Sequence, residues 1–225
     1  MTTTSSSKTR TPARPPAGRS RSSRPTSLIV VTLVALAAAA LVAVAVGLAG
    51  GGTADTSTSF DTTGSATEGA TLAPLPEAGA DPAVGQPAPV VEGTDRDGAT
   101  VEAPTPGRPT VLLFLAHWCP HCRREVPALQ QWIDDGELPT DVDLAAVATG
   151  IDPELPNYPP SAWLDSEDWA PRTIADANGA AAEAYGLTSF PYWVAVDADG
   201  TVVERRSGEL SLDEVVDMTA AARGR

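Results

Sequence analysis

Cys119 and Cys122 are the two cysteines of the chain, and two residues separate them in Trp118-Cys119-Pro120-His121-Cys122. Thiols at that spacing can close a disulfide and open it again, so the first chemistry to consider is dithiol–disulfide exchange. The apolar run 111–115 precedes the pair, and Arg123-Arg124-Glu125-Val126-Pro127-Ala128-Leu129, which reads as helix, follows it. The first turn of a helix has free backbone N–H groups and a positive dipole end, and both favour a thiolate over a thiol. Cys119 is therefore expected as the exposed, readily ionised nucleophile and Cys122 as the shielded resolving thiol. Half a zinc site is the competing reading. The chain's two histidines, His117 and His121, crowd with both cysteines into six consecutive residues. Such a set cannot surround a tetrahedral metal. A purely structural bridge across so short a loop would stabilise little.

The elements that must position this pair follow from the apolar pattern. Strands are expected at 89–92, 100–102, 110–115, 144–148, 192–197 and 201–206, and helices at 119–134, 162–169, 180–185 and 212–222. On the first helix Cys122, Val126, Leu129 and Ile133 share one face. On the last, Leu212, Val215, Val216 and Thr219 do so, with Ser211 as N-cap. Alternating strands and helices with a closing hairpin at Asp199-Gly200 predict a three-layer α/β/α domain. The stretch 150–171 holds Tyr158, Trp163 and Trp169 with several prolines; core packing and a peptide-binding platform both remain open for these rings.

The motif and its surroundings resemble the thioredoxin superfamily, specifically its membrane-anchored TlpA/ResA-like branch, over about residues 82–222. Gly85-Gln86-Pro87-Ala88-Pro89 is similar to that branch's domain entry, and Cys122-Arg123-Arg124-Glu125-Val126-Pro127 to its Cys-x-x-Glu-x-Pro continuation. The segment 184–192 resembles the one that carries the family's cis-proline. The resemblance implies a thioredoxin-like fold and a redox-active disulfide. It also implies that Pro191 is cis beside that disulfide, leaving the Phe190 backbone free to pair with an incoming peptide. Trp118 and Phe190 are then the substrate-contacting residues. Two departures stand out. Leu113 occupies the position where many thioredoxins carry a buried aspartate, so Glu125 is the nearest group able to take a proton from Cys122. An ordinary first-turn carboxylate is the other reading of Glu125. Phe190 stands where thioredoxins usually have threonine.

Redox direction is left open. Pro120-His121 matches the dipeptide of DsbA-like oxidants, in which a group that stabilises the thiolate makes the disulfide more oxidising. Arg123 and Arg124 either add to that field or are simply solvated. The TlpA/ResA-like resemblance implies a reductase fed by a membrane donor. His117 reads as a solvent-facing strand-end residue. A Sco-like copper carrier, a peroxidase and a non-catalytic binding module are the remaining alternatives. No cofactor and no metal are called for.

Charge divides the chain. Residues 1–27 carry Lys8, Arg10, Arg14, Arg19, Arg21 and Arg24 with no acid, a composition that predicts a disordered tail. Residues 28–49 are uncharged, and at 1.5 Å per residue they span about 33 Å, enough to cross a bilayer. Residues 50–81 read as a flexible linker. Of the 15 basic residues nine lie beyond the tail, against all 29 acids, a net of −20. Positive flanks stay inside, which predicts a single-pass protein with a cytoplasmic N-terminus and an extracytoplasmic catalytic domain. A cleaved signal peptide is the alternative. So acidic a domain is not expected to bind nucleic acid. Exported protein thiols or disulfides and a membrane redox partner are the expected partners, and the domain is expected to act as a monomer.

Overall fold

The computed structural model describes residues 59–224. The expected membrane span and basic tail lie outside the described residues, and among the described residues no helix is long and apolar enough to cross a membrane. In chain order the strands are β1 (Ala66–Glu68), β2 (Val90–Thr94), β3 (Thr100–Ala103), β4 (Thr110–Leu115), β5 (Asp143–Thr149), β6 (Arg172–Asp176), β7 (Tyr192–Val196) and β8 (Val202–Ser207). The helices are α1 (Cys122–Asp134), α2 (Pro160–Ser166), α3 (Ala180–Ala184) and α4 (Leu212–Ala222).

Thr-Val-Leu-Leu-Phe-Leu forms β4 because an unbroken apolar run suits a strand covered on both faces. All six residues are buried, and β4 lies at the centre of a five-stranded sheet of order β6-β5-β4-β7-β8. It pairs in parallel with β5, and antiparallel with β7, in a register that sets Leu113 opposite Trp193 and Phe114 opposite Tyr192. Alternation then sorts the side chains. Val111, Leu113 and Leu115 pack with Val126 and Leu129 of α1, Leu164 of α2, and Val215 and Met218 of α4. Leu112 and Phe114 pack on the opposite face with Ala181 and Ala184 of α3, Tyr185 and Val91 of β2. The second face also carries the antiparallel sheet β1-β2-β3. This is the expected three-layer arrangement.

Several expectations are corrected. The linker expected over 50–81 does not extend through the described part of that range. Phe60 and Leu72 are buried, Ala66–Glu68 pairs with β2, and the Leu72 N–H donates to the Ala184 carbonyl at 2.8 Å. A buried ion pair fastens the same stretch. Arg205 on β8 donates through Nε to Asp81 Oδ2 at 2.8 Å, and through Nη1 to the carbonyls of Ala73 and Tyr185, each at 2.9 Å. The guanidinium holds the Asp81 carboxyl below the usual carboxylate range. Gly186 makes the close approach possible. At φ +63°, a Cβ there would lie 2.6 Å from the Ala73 carbonyl oxygen. Strand β6 was not expected at all, since Arg-Thr-Ile-Ala-Asp has charged ends and one branched aliphatic residue. On α4, Ser211 caps the helix in a reciprocal box with Glu214, but Leu212 and Val216 are 39% and 44% exposed. The buried face is Val215, Met218, Thr219 and Ala222.

Candidate active site

Strand β4 ends at Leu115 and the chain turns through Ala116–His121 before α1 begins. The Cys119 N–H donates to the Ala116 carbonyl at 3.0 Å, and the Cys119 carbonyl accepts from the Arg123 N–H at 3.1 Å. Helix α1 thus starts at Cys122, not at Cys119 as expected, with His121 in the N-cap position and no side-chain cap bond. Both cysteines are free thiols. The expectation that Cys119 is exposed is also corrected: Cys119 is 4% exposed and Cys122 0%. The Cys119 Sγ–H points to the carbonyl of Phe190 at 3.8 Å, and the Phe190–Pro191 peptide is cis. The two segments that the resemblance singled out, 71 residues apart, meet here.

Behind Cys119 the surroundings are dry. Burial pushes the Cys122 thiol well above its ordinary range, and the nearby Cys119 and Glu125 charges push the same way. Leu113 is buried in this layer and offers no polar atom. The group that does is Glu125, itself buried on the first turn of α1. Its Oε1 accepts the Leu210 N–H at 2.7 Å, while its Oε2 and the Trp193 indole Nε1 are buried without hydrogen-bond partners of good geometry. Burial, reinforced by the charge of Glu209, raises the Glu125 carboxyl to about 8; the Leu210 N–H and the nearby indole only partly oppose this. An ordinary solvated first-turn glutamate would not behave so.

In front of Cys119 the surroundings are charged and wet. Arg124 grips Glu209 with a two-toothed contact, Nε to Oε1 at 3.3 Å and Nη2 to Oε2 at 2.5 Å. His121 Nδ1 lies 3.0 Å from Glu209 Oε2 and 2.7 Å from Arg124 Nη2. An arginine only donates and a carboxylate only accepts, so Nδ1 satisfies one of these neighbours at a time. The partners of His121 are thus Arg124 on α1 and Glu209 on the loop between β8 and α4. The Glu209 carboxylate, and to a smaller degree an ionised Cys119, raises the Arg124 guanidinium above its ordinary value.

The rim is aromatic. Trp118 Nε1 donates to the Gly150 carbonyl at 2.7 Å, and its ring stands edge-on to Phe190, centroids 5.6 Å apart at 88°. Gly150, at φ +60°, has no side chain to intrude: a Cβ would sit 3.3 Å from the Phe190 ring. His117 is buried, which corrects the solvent-facing expectation. Its Nδ1–H donates to the Pro156 carbonyl at 2.7 Å, and its Nε2 accepts the Asp152 N–H at 3.2 Å. Asn157 Nδ2 donates to the His117 carbonyl at 2.9 Å. A histidine next to the motif thus fastens the 150–159 loop that forms one wall of the site. Trp163 and Trp169 of the following stretch are core residues, whereas Tyr158 is partly exposed. Among the described residues no cluster of three or more His, Cys, Asp or Glu is suited to a metal ion.

All seven residues singled out from the sequence come together here: Trp118, Cys119, His121, Cys122, Glu125, Phe190 and Pro191. Glu209, Gly150 and Trp193 were missed. They lie far along the chain from the motif, and no local pattern marks them.

Fold and paired thiols together define the class: a thioredoxin-like disulfide oxidoreductase. The family model described as Redoxin matches residues 83–221, and the chain belongs to that family. Sporulation thiol-disulfide oxidoreductase A of Bacillus subtilis (strain 168) is 20% identical over 123 residues, covering 55% of this chain and 73% of that protein. Methylamine utilization protein MauD of Methylobacillus flagellatus is 27% identical over 128 residues, covering 54% of this chain and 56% of that protein. The crystal structure of StoA from Bacillus subtilis superposes with a TM-score of 0.51 at 21% identity, over 61% of this chain and 99% of that one. That likeness concerns the fold.

Proposed function

We propose that this protein is a membrane-anchored, extracytoplasmic thiol:disulfide oxidoreductase acting on exported proteins, with Cys119 as nucleophile and Cys122 as resolving thiol. The observation that carries the reading is the meeting of Cys119 Sγ with the Phe190 carbonyl, with Cys122 and Glu125 buried behind. In the reducing direction, the Cys119 thiolate attacks a substrate disulfide, forming a Cys119–substrate bond and releasing one substrate thiolate. Cys122 gives its proton to Glu125 and attacks Cys119, releasing the second substrate thiolate. Two electrons pass to the substrate, its two thiolates take protons from water in place of those given up by Cys119 and, through Glu125, by Cys122, and a Cys119–Cys122 disulfide remains. Burial opposes ionisation of Cys122, so a base inside the dry layer has a task that solvent cannot perform. Trp118 and Phe190 form the apolar rim on which a peptide would lie, and the Phe190 backbone is the edge it would pair with.

Direction is proposed as reductive. The oxidant reading rested on His121 serving the Cys119 thiolate, and the contacts of His121 run instead to Glu209 and Arg124. The membrane placement rests on the uncharged run 28–49 and the basic tail before it. A Cys122→Ser variant should accumulate mixed disulfides with exported proteins, and the Cys119→Ser/Cys122→Ser double variant should not. Thiol trapping in cells should find Cys119 mainly reduced. Equal capture by both variants would leave only a non-catalytic binding module.

A further inference from the structure

Glu209 stands outside every motif of the chain, yet its loop touches both sides of the dithiol. Its carboxylate takes the Arg124 fork and approaches His121. The next residue, Leu210, donates its backbone N–H to the buried Glu125. The positively charged or proton-bearing groups that the motif and the first turn of α1 contribute are His121, Arg123 and Arg124. The acids set around them are Glu209, in contact with Arg124 and His121, and Glu125, buried on the same turn of α1. Arg206, the other cation on this side of β8, is engaged by Glu204 and Glu214. Of the three forward groups, two are held by Glu209.

We propose that Glu209 is a positioning residue that sets the redox potential of the Cys119–Cys122 couple low, by holding Arg124, with His121 beside it, in a neutralising ion pair instead of leaving the Arg124 charge to the Cys119 thiolate. This deepens the function proposed above and rests on it. Stabilising the thiolate stabilises the dithiol, which makes the disulfide a stronger oxidant. A Cys-Pro-His-Cys pair with uncompensated cations would lean that way, and the carboxylate across the groove counters it. Glu209 also adds negative charge near Glu125, so one side chain acts on the surroundings of both sulfurs. The cluster is half open to water, and solvent screens it; its effect is a modest one.

The test is equilibrium with glutathione, in which two glutathione thiols pass two electrons and two protons to the protein disulfide, giving the dithiol and one glutathione disulfide. Glu209→Gln should shift this equilibrium about threefold toward the dithiol, which is about 14 mV more oxidising. Arg124→Gln removes the cation and leaves Glu209 facing the thiolate, so it should shift the equilibrium the other way. Raising the salt toward 1 M should shrink the Glu209→Gln shift, since an exposed cluster is screened. A Glu209→Gln potential equal to or below that of the unaltered protein would overturn the proposal. So would shifts of the same sign from both ends of the ion pair, the signature of a mere structural disturbance. Loss of dithiol exchange in the unaltered protein would instead overturn the underlying function, so the two failures are distinguishable.

Discussion

The two sulfurs of one four-residue motif live in different media. Cys119 looks outward past the Phe190 carbonyl to an aromatic rim and a charged cluster of His121, Arg124 and Glu209. Cys122 faces a dry layer whose single acid, Glu125, has one oxygen without a good partner. The difference teaches how identical thiols acquire different tasks. The charged cluster and the aromatic rim in front are where a substrate disulfide would meet Cys119. Desolvation behind holds the second thiol above its ordinary range, and the proposed acceptor of its proton is the neighbouring Glu125 carboxylate.

The largest effects should come from collapsing the pair. Cys119→Ser should abolish disulfide exchange in an insulin reduction assay, whereas Cys122→Ser should retain the first attack and stall as the mixed disulfide. Next comes Glu125→Gln, which removes the proposed internal base. It should slow resolution of a pre-formed Cys119 mixed disulfide by about 100-fold. The unaltered protein should resolve faster as pH rises through about 8, the range in which Glu125 ionises, and the variant should lose that rise in stopped-flow measurements.

Glu125 also makes a stability prediction with a definite sign. Its unfolded carboxyl loses its proton near the ordinary value of 4.5, and its folded one near 8. Between these pH values the folded protein holds more protons than the unfolded chain, so stability falls as pH rises through that window. The whole fall is at most about 5 kcal/mol, at about 1.4 kcal/mol per pH unit. Denaturant titration of Glu125→Gln should show the slope removed and the variant the more stable protein at pH 8.

Smaller effects belong to the rim and the front. Gly150→Ala places a methyl against Phe190 on a backbone that disfavours side chains. It should raise the KM for a folded protein substrate severalfold while leaving reaction with a small disulfide almost unchanged. The Glu209→Gln shift, about threefold in equilibrium, is the smallest.

How much of this the sequence carried differs by side. The motif, the strand before it, the α1 face of Cys122, Val126 and Leu129, and the Ser211 cap are local, and their spacing made them legible. Phe190 and Pro191 were legible through resemblance. What escaped depends on distant pairing. Nothing in Ala66-Thr67-Glu68 marks a strand until Val90–Glu92 lies alongside it, and Asp81 means nothing before Arg205 reaches it. His117 was misplaced because its burial comes from a loop more than 30 residues away. The exposure of Cys119 was misjudged for the same reason: the Phe190 carbonyl that meets its sulfur arrives from 71 residues away.

The division of labour between the two sulfurs is most directly tested by alkylating the fully reduced protein with less than one equivalent of iodoacetamide at neutral pH and locating the label by peptide mass spectrometry. The label should fall almost wholly on Cys119. Equal labelling, or preference for Cys122, would contradict the assignment of nucleophile and resolving thiol.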